Sequence, residues 1–120
     1  MSARVLVADD SSTMRKIILR SLSAVGVPSA VEAADGEEAI NLFEPGKFDL
    51  VLTDWNMPRK NGLEVIQEVR KQDTDVTIIM VTTEAEKSRV LEAIQAGVSD
   101  YLVKPFTADT LREKLEKHGC

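Results

Sequence analysis

Five short strand-like runs, four of them apolar and the second weaker and centred on Val31, each followed by a stretch with helical spacing, leave this chain few ways to fold. The runs are Arg4 to Ala8, Ser29 to Ala33, Phe48 to Thr53, Val76 to Val81 and Tyr101 to Val103. Short apolar runs bounded by turn signals fit buried strands. Strands alternating with amphipathic helices predict a parallel sheet covered on both faces, joined by right-handed crossovers. The expected class is therefore α/β, a (βα)5 doubly wound parallel five-stranded sheet. Residues 1–120 read as a single domain, without linker, internal repeat or low-complexity segment, and that length suits one core.

The intervening segments carry helix signals. Ser11 or Ser12 can cap a first helix whose apolar face is Met14, Ile17, Ile18, Leu22 and Val25, closed by Gly26. Asp35-Gly36 is a turn signal, with Glu37 and Glu38 in the first turn of a second helix that points Ala39, Ile40 and Phe43 inward. Leu63, Ile66 and Val69 make a third face. A fourth helix is expected over Glu84 to Ala96, with Val90, Leu91 and Ile94 inward and Gly97 closing it. Thr107 can cap a fifth, carrying Leu111 and Leu115.

The residues at the carboxyl end of each strand matter most, because ligands of open α/β sheets bind at that edge. Asp9 and Asp10 follow the first strand, Asp54 ends the third, Thr82 follows the fourth and Lys104 the fifth. Each alone has a plain reading: a helix cap, a turn residue, a strand terminus or a solvated lysine. Together on one edge they bring three carboxylates, a hydroxyl and an ammonium within reach of one another. Carboxylates so close must raise a pKa or bind a cation. An all-oxygen set of few ligands suits Mg²⁺, and an ionised aspartate beside it can act as nucleophile toward a phosphoryl group.

Composition narrows the alternatives. The net charge of −5 argues against a basic nucleic-acid-binding face. No apolar run is long enough to span a membrane, and the start lacks a signal-peptide core, so a cytoplasmic location is expected. Cys120 is the one cysteine, which rules out an intrachain disulfide and reads as a loose tail thiol. His118 is the one histidine and reads as a tail residue, leaving no zinc cluster.

Asp9-Asp10, Asp54 with Met57-Pro58 and Gly62, Thr82, and Lys104-Pro105-Phe106 together resemble the receiver domain of two-component response regulators, over essentially the whole chain. The resemblance reaches the single-domain chemotaxis branch of that family through Asp54-Trp55-Asn56-Met57-Pro58, Met80 to Ala85 and Tyr101 to Thr107. It implies a flavodoxin-like strand order 2-1-3-4-5. It also implies that Asp54 accepts phosphate from a histidine kinase. Asp9, Asp10, Asp54 and the backbone carbonyl of Asn56 would hold Mg²⁺, and Thr82 and Lys104 would contact the phosphoryl group. Thr82 and Tyr101 would form the switch, and the Lys104-Pro105 bond would be cis. Asn61-Gly62 departs from the commoner Asp-Gly, and Thr83 stands where a smaller residue is often found.

The expected output is protein contact through Lys87, Val90, Tyr101, Lys104, Thr107 and Lys114, most simply with a flagellar motor switch protein, by a monomer. A phosphorelay shuttle, or a receiver cut from a larger regulator, is the alternative within the class. Outside it stands a Mg²⁺-dependent aspartyl-phosphate phosphatase, whose Asp-x-Asp pattern the adjacent Asp9-Asp10 does not match. On the receiver reading the chain is no enzyme beyond its own phosphorylation and dephosphorylation.

Overall fold

The computed structural model describes residues 3–83 and 88–120. The elements are β1 Val5–Ala8, α1 Ser12–Ala24, β2 Val31–Ala33, α2 Gly36–Leu42, β3 Leu50–Asp54, α3 Gly62–Gln72, β4 Thr77–Thr83, α4 Val90–Ala96, β5 Asp100–Lys104 and α5 Ala108–Lys117. All strand pairs are parallel, in the order β2-β1-β3-β4-β5. This is the expected doubly wound sheet.

Alternation along each strand splits the core in two. Leu6, Val51, Ile78 and Met80 face one side, where Ala39, Phe43, Val65, Ile66, Val69 and Ala93 of α2 to α4 and their flanks cover them. Val5, Val7, Leu50, Leu52, Ile79 and Val81 face the other, against Ile18 and Leu22 of α1 and Leu111 and Leu115 of α5. Burial on both faces explains why β1, β3 and β4 read as continuous apolar runs, while the edge strand β2 is exposed at Val31 and Glu32.

Local signals account for the helix ends. Ser11 caps α1 by accepting from the Met14 N–H at 3.1 Å. Asp35, expected only as part of a turn, is the N-cap of α2. Asn61 caps α3 in a reciprocal box with Glu64, which gives the unusual Asn61-Gly62 pair a structural role. Thr107 caps α5, and Gly97 ends α4 in the left-handed region. The Lys104-Pro105 bond is cis, as expected.

Several expectations need correction. Ile17, expected on the apolar face of α1, is 43% exposed, and Ile18 and Leu22 carry the burial of that helix. β4 runs through Thr83 rather than stopping at Val81, so Thr82 and Thr83 are strand residues paired with Val103 and Lys104. The buried face of α4 is not the expected one. That helix has seven described residues and buries only Ala93, while Leu91 and Ile94 are 65% and 56% exposed. α4 meets the core through Ala93 and packs beside α3, which leaves Leu91 and Ile94 facing outward. Residues 84–87 of that expected helix lie outside the described residues. Cys120 is not a loose thiol but is buried, with Sγ 3.8 Å from the Asp49 carbonyl, and burial raises its pKa.

Candidate phosphoryl-acceptor site

Register builds the site. β1 and β3 pair Ala8 with Thr53, β3 and β4 pair Asp54 with Val81, and β4 and β5 pair Thr83 with Lys104. β4 and β5 thus run two residues past the level of Asp54, and the last residues of the strands and the loops beyond them share one edge. Asp9, Asp10 and Asp54 offer oxygens all within 4.8 Å of one another. Lys104 reaches in from β5, with Nζ 3.4 Å from Asp54 Oδ1 and 3.7 Å from Asp9 Oδ2.

The electrostatics are unbalanced. Asp54 is buried, and that burial, aided by the charge of Asp9, pushes its pKa up to about 6 against the pull of Lys104 and the Trp55 N–H. Burial also raises the Asp9 pKa, with Asp10 adding to the effect, while the Ser11 N–H and Lys104 oppose it. Asp54 Oδ1 accepts from the Trp55 N–H at 2.8 Å, and Asp9 Oδ1 accepts from the Ser11 N–H at 2.9 Å. Among the described residues, buried Asp9 Oδ2 has no hydrogen-bond partner. Buried carboxylate oxygens are rarely left so. Among the described residues one ammonium faces three carboxylates, with the Asp9 Oδ2 oxygen left over, so the donor set fits a hard divalent cation such as Mg²⁺.

The other expected residues are spread around this cluster. Asn56 lies in the exposed loop two residues beyond Asp54. Thr82 is fully buried, and its hydroxyl donates to the Thr83 carbonyl at 3.3 Å. Tyr101 is half-buried against the core that α2 to α4 cover, with Lys114 Nζ 5.3 Å from its ring centre. Of the expected partner face, Val90, Tyr101 and Lys114 are half-buried and Thr107 is exposed. Lys104 faces the acidic site instead, with 14% of its side chain exposed. Lys87 lies outside the described residues.

Sequence reasoning missed several residues around the site. Arg15 donates to the Asp9 carbonyl at 2.6 Å and pairs with Glu32 at 3.1 Å. Arg59 takes a positive φ of 69° and holds Asp35 at 2.6 Å. Arg89 lies over the Trp55 ring, 5.3 Å from its centre. Each depends on a contact between distant segments, and no local pattern announces it.

Fold and site together match known proteins. The family model described as the response regulator receiver domain matches residues 5–116, and the chain belongs to that family. It is 44% identical over 116 residues to the chemotaxis protein CheY of Pseudomonas aeruginosa, covering 95% of this chain and 94% of that protein. Among solved structures, CheY4 of Vibrio cholerae superposes with a TM-score of 0.86 at 34% identity, covering 98% of both chains. The receiver domain of the Pseudomonas aeruginosa sensor histidine kinase PA1611 gives a TM-score of 0.88 at 28% identity, covering 100% of both. That structure has a magnesium ion coordinated in its active site cleft. Among the described residues no helix is long and apolar enough to cross a membrane.

Proposed function

We propose that the chain is a cytoplasmic response-regulator receiver that accepts a phosphoryl group on Asp54 from a histidine kinase. The observation that carries this is the placement of Asp54: buried at the end of the central strand, 3.4 Å from Lys104, its oxygens among those of Asp9 and Asp10. A pKa of about 6 leaves Asp54 largely ionised at neutral pH, so the nucleophile is ready. An Asp54 oxygen forms the new O–P bond as the P–N bond of a phosphohistidine breaks, and the leaving imidazole takes a proton from solvent. The Trp55 N–H fixes the carboxylate, and Lys104 stands beside it to pair with the phosphoryl oxygens. Asp9, Asp10, Asp54 and the Asn56 carbonyl would hold Mg²⁺. Mg²⁺ bound there supplies positive charge against the carboxylates and the transferring oxygens.

Output is protein contact. Leu91 and Ile94 add exposed apolar surface to Val90, Tyr101, Thr107 and Lys114, which supports a docking face spanning α4, β5 and α5. The likeness to chemotaxis proteins favours a flagellar motor switch protein as its partner. The Thr82 hydroxyl, now turned to its neighbour's carbonyl, would turn to the phosphoryl group, and Tyr101 would rotate inward behind it.

Acetyl phosphate with Mg²⁺ should add one phosphate, labile to hydroxylamine, to the wild type and none to Asp54→Asn. Equal labelling of both would remove Asp54 from the role. Thr82→Ala should still be labelled but lose much of the phosphorylation-dependent gain in affinity for a motor-switch peptide. One charge-assisted hydrogen bond is worth about 1.5–3 kcal/mol, and a shift arises only from such a differential interaction.

A further inference from the structure

Arg15 and Glu32 carry none of the roles above, yet they are built into the base of the acidic site. Arg15 lies on α1 with only 16% of its side chain exposed, and Glu32 lies on the edge strand β2 at 45%. The guanidinium is held at both ends. Nε donates to Glu32 Oε1 at 3.1 Å, and Nη1 donates to the Asp9 carbonyl at 2.6 Å. Helix capping does not require it there, because Ser11 already caps α1. The positive charge favours ionised Asp9. A second cation thus stands behind the carboxylates, on the side away from β5 and its Lys104.

We propose that the Arg15–Glu32 pair sets the charge balance of the site. Arg15 opposes loading of the divalent cation and favours the anionic phosphodonor, and Glu32 moderates both effects. This rests on the reading of Asp9, Asp10 and Asp54 as a Mg²⁺ and phosphoryl site. The physical basis is a sign reversal. One nearby charge acts in opposite directions on a cation and on a doubly charged anion. A guanidinium that merely braced the Asp9 backbone would produce no such reversal, since its loss would disorder the site for both ligands.

The test uses the full chain at low ionic strength. Mg²⁺ affinity is followed by the fluorescence of Trp55, the sole tryptophan. The second-order rate constant with acetyl phosphate is measured at saturating Mg²⁺. Glu32→Gln should weaken Mg²⁺ binding about two- to fivefold and raise the acetyl phosphate rate constant by a similar factor. Arg15→Gln should do the opposite in both assays. The double variant Arg15→Gln/Glu32→Gln should return close to wild type, and the single-variant shifts should shrink as salt is added. Glu32→Lys, at a part-exposed position that leaves the core untouched, should exceed Glu32→Gln in the same directions. Arg15→Gln that weakens Mg²⁺ binding, or a double variant that fails to recover, overturns the proposal in favour of a brace. Variants indistinguishable from a Mg²⁺-binding wild type overturn it alone. A wild type with no saturable Mg²⁺ response overturns it together with the site it rests on.

Discussion

Asp54 and Asp100 are both well-buried carboxylates, set at opposite edges of the same sheet. Asp54 ends β3 among two further carboxylates, with one lysine for company. Asp100 opens β5, with 7% of its side chain exposed, and is met by Lys114 at 2.9 Å, Lys117 at 3.4 Å and His118 at 2.9 Å. Burial works against ionisation at both. At Asp54 it wins and lifts the pKa to about 6. At Asp100 the hydrogen bonds from His118, Lys114 and the Tyr101 N–H outweigh it and hold the carboxyl well below the usual range. The lesson is that burial alone does not decide the charge cost of a carboxylate. The fold has one edge where charge is satisfied and one where it is left wanting, and the unsatisfied edge is the one positioned for chemistry.

The largest effect expected comes from breaking the satisfied edge. Asp100→Asn should destabilise the protein by about 1.5–3 kcal/mol at pH 7, because it removes the charged acceptor that Lys114, Lys117 and His118 share. Chemical denaturation with and without the substitution measures this. The folded pKa of Asp100 lies below its unfolded value, so its contribution is present above the ordinary carboxylate range and is lost as pH falls below that range. The gap between the two proteins should therefore persist to mild acid and close only in strong acid.

The opposite sign is expected at the unsatisfied edge. Asp54→Asn should stabilise the metal-free protein by about 1–2 kcal/mol at pH 7 to 8, since it removes a charge that burial disfavours. Here the folded pKa lies above the unfolded one. The folded state binds the proton more tightly, so wild-type stability falls as pH rises through the window from the ordinary carboxylate value to about 6. The advantage of Asp54→Asn should fade below pH 6. A stabilising effect that does not depend on pH would trace to packing instead.

Mg²⁺ sharpens the comparison further. At ten times its Kd it should stabilise the wild type by about 1.4 kcal/mol. Asp10→Ala should abolish this response and leave the cluster around Asp100 untouched. Thermal melts with chelator and with Mg²⁺ separate the cases, and a response that survives Asp10→Ala would move the metal elsewhere.

Much of this was legible in the sequence. The five alternations are local patterns, and the residue after each strand falls on a known edge once the sheet is parallel, so Asp9, Asp10, Asp54 and Lys104 could be placed together. The illegible part depends on which segments meet. Leu91 and Ile94 have the spacing of an inward face, but α4 meets the core through Ala93 and packs beside α3, so both face outward. His118 reads as a tail residue until α5 folds back onto the start of β5 and delivers it to Asp100. Arg15 and Glu32 are seventeen positions apart and join only because α1 lies beside the edge strand.

The segment between β3 and α3 is a connection in name only. Its far end is pinned where the Gly62 N–H donates to the Trp55 carbonyl at 2.8 Å, and a Cβ at Gly62 would collide with the Asp54 carbonyl. Midway, the Lys60 carbonyl occupies the place a side chain at Gly36 would need, and Arg59 is tied to Asp35. Loops ordinarily absorb insertions and deletions. This one has no slack to take them up, so its length is as fixed as that of the strand before it. Among aligned relatives, gaps should gather in the turn around Pro45-Gly46, where a Cβ on Gly46 would meet open space, and avoid residues 55–61.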